Sequence, residues 1–382
     1  MASEVLDEAY VRLHRWGPEF GGENGLSNHG PMAAEVLSRR GFDGQVGSWL
    51  DRYVARLETL PGEDDPITED NWAEAMGQHR RVGDWIAFFQ RAVREAPWTE
   101  VLAAWWPRLL PAIASGATHG LIRTGHAVRT VLGGDTSPGA VDEIAHALGY
   151  WAARAIFVPG LAAPAGDLDA PAALAALPRL PEQSGAIRDR FARLADLPAW
   201  TPSLTTLRSP GTPAEVPAAL AGLVEAGVRQ YATHGHGSPV LLVHVATAPN
   251  AMGHLLPALP EPFWPSSFAA TWAACAAITV AYAPADPRPI PAAPTPADPA
   301  SEPGSASEPG SASEPGSASE PGSASEAGSA SDPADLMARA TEHGDEHVIK
   351  LTDTALDSYA RTADPALLTA ATRCADLIDP PR

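Results

Sequence analysis

Residues 117–129 read ATHGLIRTGHAVR and place two histidines within a segment that has the apolar spacing of a buried helix. His119 and His126 are seven residues apart, and about 3.6 residues per turn brings both rings to one helical face. Leu121 and Ile122 direct that helix towards the interior. The pattern predicts either the floor of a metal or substrate site or a pair of hydrogen-bonded core histidines. Because two turns separate the rings by about 10 Å, sharing one ion requires that they lean together or that the helix bends.

The composition restricts the classes of partner. The chain has 382 residues and a formal net charge of −20, which disfavours nucleic acid or an anionic membrane as a partner because phosphates would be repelled. No apolar run reaches the roughly 18 residues that span a bilayer, and residues 1–4 lack the basic start of a signal peptide. Two cysteines provide neither a disulfide framework nor a thiolate zinc site. We expect a soluble, cytoplasmic protein.

Helical spacing of apolar residues recurs along most of the chain. It predicts helices over residues 4–16, 45–60, 85–94, 99–114, 141–157, 213–233 and 268–282. No run of alternating strands interrupts them. The predicted fold class is all-α, a single domain of many helices.

A low-complexity segment interrupts this domain. Four copies of Ser-Glu-Pro-Gly-Ser-Ala fill residues 301–324, and their composition cannot bury a core. We expect a helical core over residues 1–283, a disordered linker over 284–332, and C-terminal helices over 333–382 that dock back onto the core. A linker of about 45 residues spans roughly 35–40 Å as a random coil, so docking is geometrically possible.

Two further histidines lie in informative places. His29 follows a polar, glycine-rich loop and directly precedes a predicted helix, for which Asn28 or Ser27 is a candidate cap. Loop-to-helix junctions often carry functional residues, although a capping or solvent-facing role is as good an interpretation. His244 is the one strongly polar side chain in the apolar stretch 239–247, so it needs a partner if it is buried. The pattern does not decide between a buried helix and a short strand there.

The chain contains a single lysine, Lys350. It shares a predicted helical face with His343 and His347, and neighbouring Ile349 and Leu351 indicate that this helix is packed. A buried ammonium is costly, so we expect Lys350 to be neutral, paired or chemically modified. Carboxylation by carbon dioxide would turn the amine into an oxygen ligand for a metal ion.

Five short motifs in this order resemble the questin oxidase-like family, whose members are also described as Baeyer–Villiger-type oxidases of polyketide pathways. They are LSNHGP (26–31), THG (118–120), GHAVR (125–129), LVH (242–244) and GDEHVIK (344–350). Each motif is short, but together they cover both sides of the repeat segment.

The resemblance implies a helical oxygenase that opens a ring of an anthraquinone-like aromatic polyketide. Some members use NADPH, whereas others point to a non-haem iron centre held by four histidines and a carboxylated lysine. Matched residue by residue, the ligands implied for this chain are His29, His119, His126, His244 and Lys350. His347 lies one turn before the lysine and is expected either to exchange roles with His244 or to orient the lysine carboxylate.

The chemistry of these residues agrees with that implication. Imidazole and carboxylate ligands without thiolate suit Fe²⁺, with dioxygen as co-substrate. No Gly-x-Gly-x-x-Gly motif follows a predicted strand, which disfavours a flavin or nicotinamide fold of the usual kind. The alternatives are a metal-free, NADPH-dependent Baeyer–Villiger-like monooxygenase, a non-enzymatic helical binder of small molecules, and a metallohydrolase.

Overall fold

The computed structural model describes residues 4–19, 27–289 and 332–381. The predicted all-α class is confirmed, because these residues are helical apart from connecting segments and one small sheet. Most of the predicted linker, residues 290–331, lies outside the described residues. None of the helices in the described ranges is both long and apolar enough to cross a membrane.

The helices and strands have the following bounds in chain order. They are α1 (Glu4–Leu13), β1 (Trp16–Glu19), α2 (Gly30–Arg39), α3 (Asp43–Tyr53), β2 (Leu57–Thr59), α4 (Trp72–Ala75), α5 (Val82–Glu95), α6 (Trp98–Leu109), α7 (His119–Leu132), α8 (Pro138–Ala153), α9 (Ala170–Ala176), α10 (Ile187–Ala192), α11 (Trp200–Leu204), α12 (Val216–His234), α13 (Pro239–Leu242), α14 (His244–Leu255), α15 (Trp264–Tyr282), α16 (Pro333–His343), α17 (Glu346–Thr362) and α18 (Ala366–Leu377).

Two predicted helices end earlier than their apolar spacing indicates. The first stops at Leu13, and residues 16–19 form β1, which pairs antiparallel with β2 in place of the last turn predicted for 45–60. Pro18 explains the first difference, because proline lacks the N–H that an α-helix needs and clashes with the preceding turn. The strand brings Glu19 into the interior, where it is 2 % exposed.

Helix α7 is the buried helix that residues 117–129 predict. Only Arg129 and Leu132 of its residues are not buried, and it packs against α2, α8 and α14. Its glycines allow this close approach: a Cβ at Gly120 would lie 2.5 Å from the ring of Trp151. The fold therefore surrounds α7 with other helices.

The C-terminal helices pack onto the rest of the chain. Helix α17 contacts α2, α12 and α14. Asp353 of α17 is 1 % exposed and accepts hydrogen bonds from Arg40 Nε at 2.7 Å and Arg129 Nη1 at 3.2 Å, and it also pairs with Arg39. One buried carboxylate thus joins α17 to α2 and α7.

The electrostatics of Asp353 favour this arrangement. Burial alone raises the pKa of a carboxyl group, but the positive charges of Arg129, Arg39 and Arg40 outweigh burial and hold the pKa of Asp353 well below its usual range. A carboxyl group with a lower pKa in the folded than in the unfolded state stabilises the fold above its unfolded pKa. That contribution is lost as the pH falls below about 4.

We predict that Asp353→Asn lowers the free energy of unfolding by about 3 kcal/mol, because it removes the buried carboxylate on which three arginines converge. Urea unfolding at pH 7 measures this loss. The loss should shrink as the pH falls below about 4, where the wild-type carboxyl group is itself protonated in the unfolded state. Asp51→Asn is the matched control, since Asp51 pairs with Arg12 at an exposed position and should cost less than about 1 kcal/mol. Equal losses in the two variants would contradict the proposed docking role.

Candidate metal centre

Four histidines from distant segments converge in the interior. His29 caps α2, His119 and His244 are the first residues of α7 and α14, and His347 lies in the first turn of α17. All four are buried. The segment around His244 is helical rather than a strand: α13 ends at Leu242, and α14 begins at His244.

Five of the six pairs of rings have centroids within 6.3 Å of each other. The distances between ring centroids are 4.5 Å for His29–His119, 4.5 Å for His119–His244, 4.7 Å for His29–His347, 5.6 Å for His244–His347 and 6.3 Å for His119–His347. We call these four residues the histidine cluster. One nitrogen each from His29, His119 and His347 lies within 4.8 Å of the other two, a spacing at which they can hold a metal ion.

Two members of the cluster present opposed ring nitrogens. Nε2 of His119 lies 3.1 Å from Nε2 of His244. The opposite nitrogen of each ring lies beside a backbone carbonyl, namely Nδ1 of His119 at Gly116 and Nδ1 of His244 at Leu241, the latter at 3.1 Å. Because a carbonyl only accepts, Nδ1 carries the proton in both neutral rings, and the two Nε2 atoms face each other as lone pairs. A cation that binds both nitrogens satisfies them at once.

The remaining histidines of the cluster also have nitrogen atoms available. Nδ1 of His29 lies 2.6 Å from a carboxylate oxygen of Glu19, whereas its Nε2 is buried without a hydrogen-bond partner among the described residues. Both ring nitrogens of His347 are likewise buried without a hydrogen bond, with Asp345 the nearest carboxylate at 3.5 Å. Buried polar atoms are normally satisfied, so these atoms are candidates for binding a metal ion.

The cluster favours neutral imidazoles. Burial lowers the pKa of His29, His119 and His244 well below the ordinary value, and the nearby positive charge of Lys350 lowers each of them further. Neutral imidazole is the form that binds a metal ion. The rings are therefore available as ligands at neutral pH.

Lys350 lies on the same face of α17 as His347, three residues further on. It is 1 % exposed, and its Nζ has no hydrogen-bond partner in the described part of the chain. Burial lowers the pKa of Lys350 to about 8. The expectation of a buried lysine is confirmed, whereas its chemical modification stays a prediction.

Two buried carboxylates lie beside the cluster. Glu19 accepts a hydrogen bond from the hydroxyl of Tyr53, and Glu346 pairs with Arg56. Burial raises the pKa of both glutamates. Sequence reasoning missed Glu19 because it lies just beyond a segment read as helix; the only available signal was Gly17-Pro18, which ends that helix.

The described contacts place His126 in a different environment. Its Nδ1 lies 2.8 Å from Glu35, which Arg129 also contacts, and it takes part in none of the ring contacts that define the histidine cluster. The physical reason is the rise of α7, whose two turns separate His126 from His119 along a continuous helix. The expectation that they share an ion has no support from this geometry, and His347 contributes the fourth imidazole of the cluster.

A helical bundle that buries four neighbouring imidazoles, three of which have nitrogens within 4.8 Å of one another, is a candidate metalloprotein. The family model described as Questin oxidase-like matches residues 39–133 of this chain, which confirms the predicted family resemblance. The matched segment contains His119 and His126 of the candidate residues, so the placement of the others rests on the structure. The match supports an oxidoreductase. No curated protein matches the chain.

We predict that His347→Ala and His126→Ala separate the two possible ligand sets. Removing His347 takes a nitrogen from the cluster and should reduce bound iron from about one per chain to a small fraction. Removing His126 breaks a contact with Glu35 and should leave the bound iron near the wild-type amount. Elemental analysis of both purified variants measures the difference. Iron loss on removal of His126 with retention on removal of His347 would contradict the structural assignment.

Proposed function

We propose that this protein is a non-haem iron oxygenase that acts on a ring of an anthraquinone-like aromatic polyketide. His29, His119, His244 and His347 would hold one ferrous ion, with Lys350 as a carboxylated fifth ligand. The observation that carries the proposal is the pair of opposed Nε2 atoms of His119 and His244, together with the unpartnered nitrogens beside them.

The donor set fits ferrous iron. Four neutral imidazoles and an oxygen ligand, without thiolate, suit a first-row divalent metal. Bound ferrous iron would supply the capacity to react with dioxygen, which most organic substrates lack by themselves. The matched family is named for an oxidase, which agrees with this chemistry.

Carboxylation of Lys350 would add one negative charge to the proposed iron centre. The neutral amine adds to the carbon of carbon dioxide, one N–C bond forms, and one proton is lost to solvent, which leaves an anionic carbamate. Its single negative charge offsets one of the two positive charges of a buried ferrous ion among neutral rings. The buried, unpartnered Nζ of Lys350 supports this step.

Other residues of the chain would orient the ligands. Glu19 contacts Nδ1 of His29, and the Gly116 carbonyl accepts from Nδ1 of His119, which would leave Nε2 of each ring for the ion. Such partners fix the tautomer and ring orientation of metal-binding histidines. Burial of the cluster also excludes bulk water from the reacting centre.

We predict that iron removal abolishes oxygen uptake on a hydroxyanthraquinone and that ferrous iron restores it. An oxygen electrode and analysis of the product measure this before and after chelation. Lys350→Ala should lower uptake at least a hundredfold and reduce bound iron. Activity that survives complete chelation and needs NADPH would support the metal-free monooxygenase instead. Saturable binding without any oxygen uptake would support the non-enzymatic binder.

Lys350 permits a direct test of its modification because it is the only lysine in the chain. We predict that protein prepared with ¹³C-bicarbonate shows a carbamate ¹³C resonance that is absent from Lys350→Gln. The Lys350→Gln protein, prepared in the same way, keeps the N-terminal amine and therefore controls for carbamate formed there. A spectrum in which the two proteins are identical would contradict carboxylation while leaving the imidazole ligands untested by this measurement.

A further inference from the structure

A small cavity lies between α3 and the turn that joins α16 to α17. Its volume is about 60 Å³, and it is lined by Trp49, Arg52, Tyr53, Arg56, Gly344 and Pro381. None of these residues belongs to the histidine cluster. The cavity is therefore separate from the proposed iron site.

The lining of the cavity is cationic in a strongly acidic protein. Arg52 and Arg56 contribute two guanidinium groups, whereas the net charge of the chain is −20. Arg56 uses one terminal nitrogen to pair with Glu346, but its Nε is buried and has no acceptor in the described residues. A buried N–H without an acceptor is unfavourable, so the arrangement fits a ligand that supplies acceptor atoms.

The walls and the size of the cavity restrict that ligand. Trp49 and Tyr53 line one side of the cavity and stack on each other with centroids 4.7 Å apart, and the Arg56 guanidinium lies over the Tyr53 ring. Since one water requires roughly 10–15 Å³ of such volume, the cavity has room for about four waters or one oxyanion of about four heavy atoms. Guanidinium groups bind planar carboxylates through paired hydrogen bonds.

We propose that this cavity is a binding site for a small planar oxyanion of the carboxylate class, held by Arg52 and Arg56. The anion lies beside the groups that support the histidine cluster, because Arg56 contacts Glu346 and Tyr53 contacts both Glu19 and the backbone N–H of His29. The site goes beyond the proposed oxygenase function and does not depend on bound iron.

Acetate is the probe for this site, because bicarbonate would also supply carbon dioxide to Lys350. Isothermal titration of the full chain with sodium acetate, against sodium chloride at equal ionic strength, should show saturable binding in the millimolar range. Arg52→Gln should weaken that binding at least tenfold. It is preferred over a change at Arg56, whose loss would leave Glu346 buried without its counter-charge.

Arg91→Gln is the matched control. It removes the same charge from a different surface, where Arg91 pairs with Glu63, and should leave acetate binding unchanged. Sulfate, which is tetrahedral and larger, should bind at least tenfold more weakly than acetate. The absence of saturable acetate binding, equal loss in the two arginine variants, or sulfate binding as tight as that of acetate would each overturn the proposal.

Discussion

The structure depends on a constraint between two imidazoles whose Nε2 atoms lie 3.1 Å apart. The Nδ1 atoms of His119 and His244 both lie beside carbonyl oxygens, so their protons are committed there. Two lone pairs at that distance repel each other in a buried, low-dielectric setting. In the proposed centre, a bound cation would turn this repulsion into two ligand bonds. The remaining features of the centre can be understood as support for that cation.

The histidines of the cluster lie at the beginnings of helices. His29, His119 and His347 lie at the N-terminal ends of α2, α7 and α17, where the unpaired N–H groups carry partial positive charge. That field disfavours imidazolium and favours an anionic ligand. It therefore agrees with neutral rings and with a carbamate on Lys350.

The C-terminal helices are as necessary to this centre as the N-terminal ones. They supply His347 and Lys350, and they are fastened beside the cluster by Asp353, which lies one turn beyond Lys350 on the same helix. The arginines that pair with Asp353 come from the end of α2 and from α7. The ionic contacts thus join three of the four helices whose N-terminal ends carry histidines of the cluster.

The sequence predicts the parts of this centre that depend on local pattern. The buried character of α7 follows from apolar spacing, and the burial of Lys350 follows from its apolar neighbours. The spatial arrangement of segments that are distant in the sequence does not follow from local pattern. A seven-residue spacing places His119 and His126 on one face, but that face is long enough for one ring to join the cluster and the other to bind Glu35.

Glu19 shows the same limit. It lies just beyond a segment read as helix, and its burial beside His29 accompanies the pairing of β1 with a strand that follows α3. Long-range pairing of this kind has no local signature. The helical class was therefore accessible from the sequence, whereas the choice of His347 over His126 required the coordinates.

The most direct measurement of the central claim is X-ray absorption at the iron edge of the iron-loaded protein. We predict a first coordination shell of nitrogen and oxygen with the outer-shell scattering of about four imidazoles, unchanged in His126→Ala and reduced by one imidazole in His244→Ala. A shell that contains sulfur, or the scattering of no more than one imidazole, would contradict a centre built by the histidine cluster.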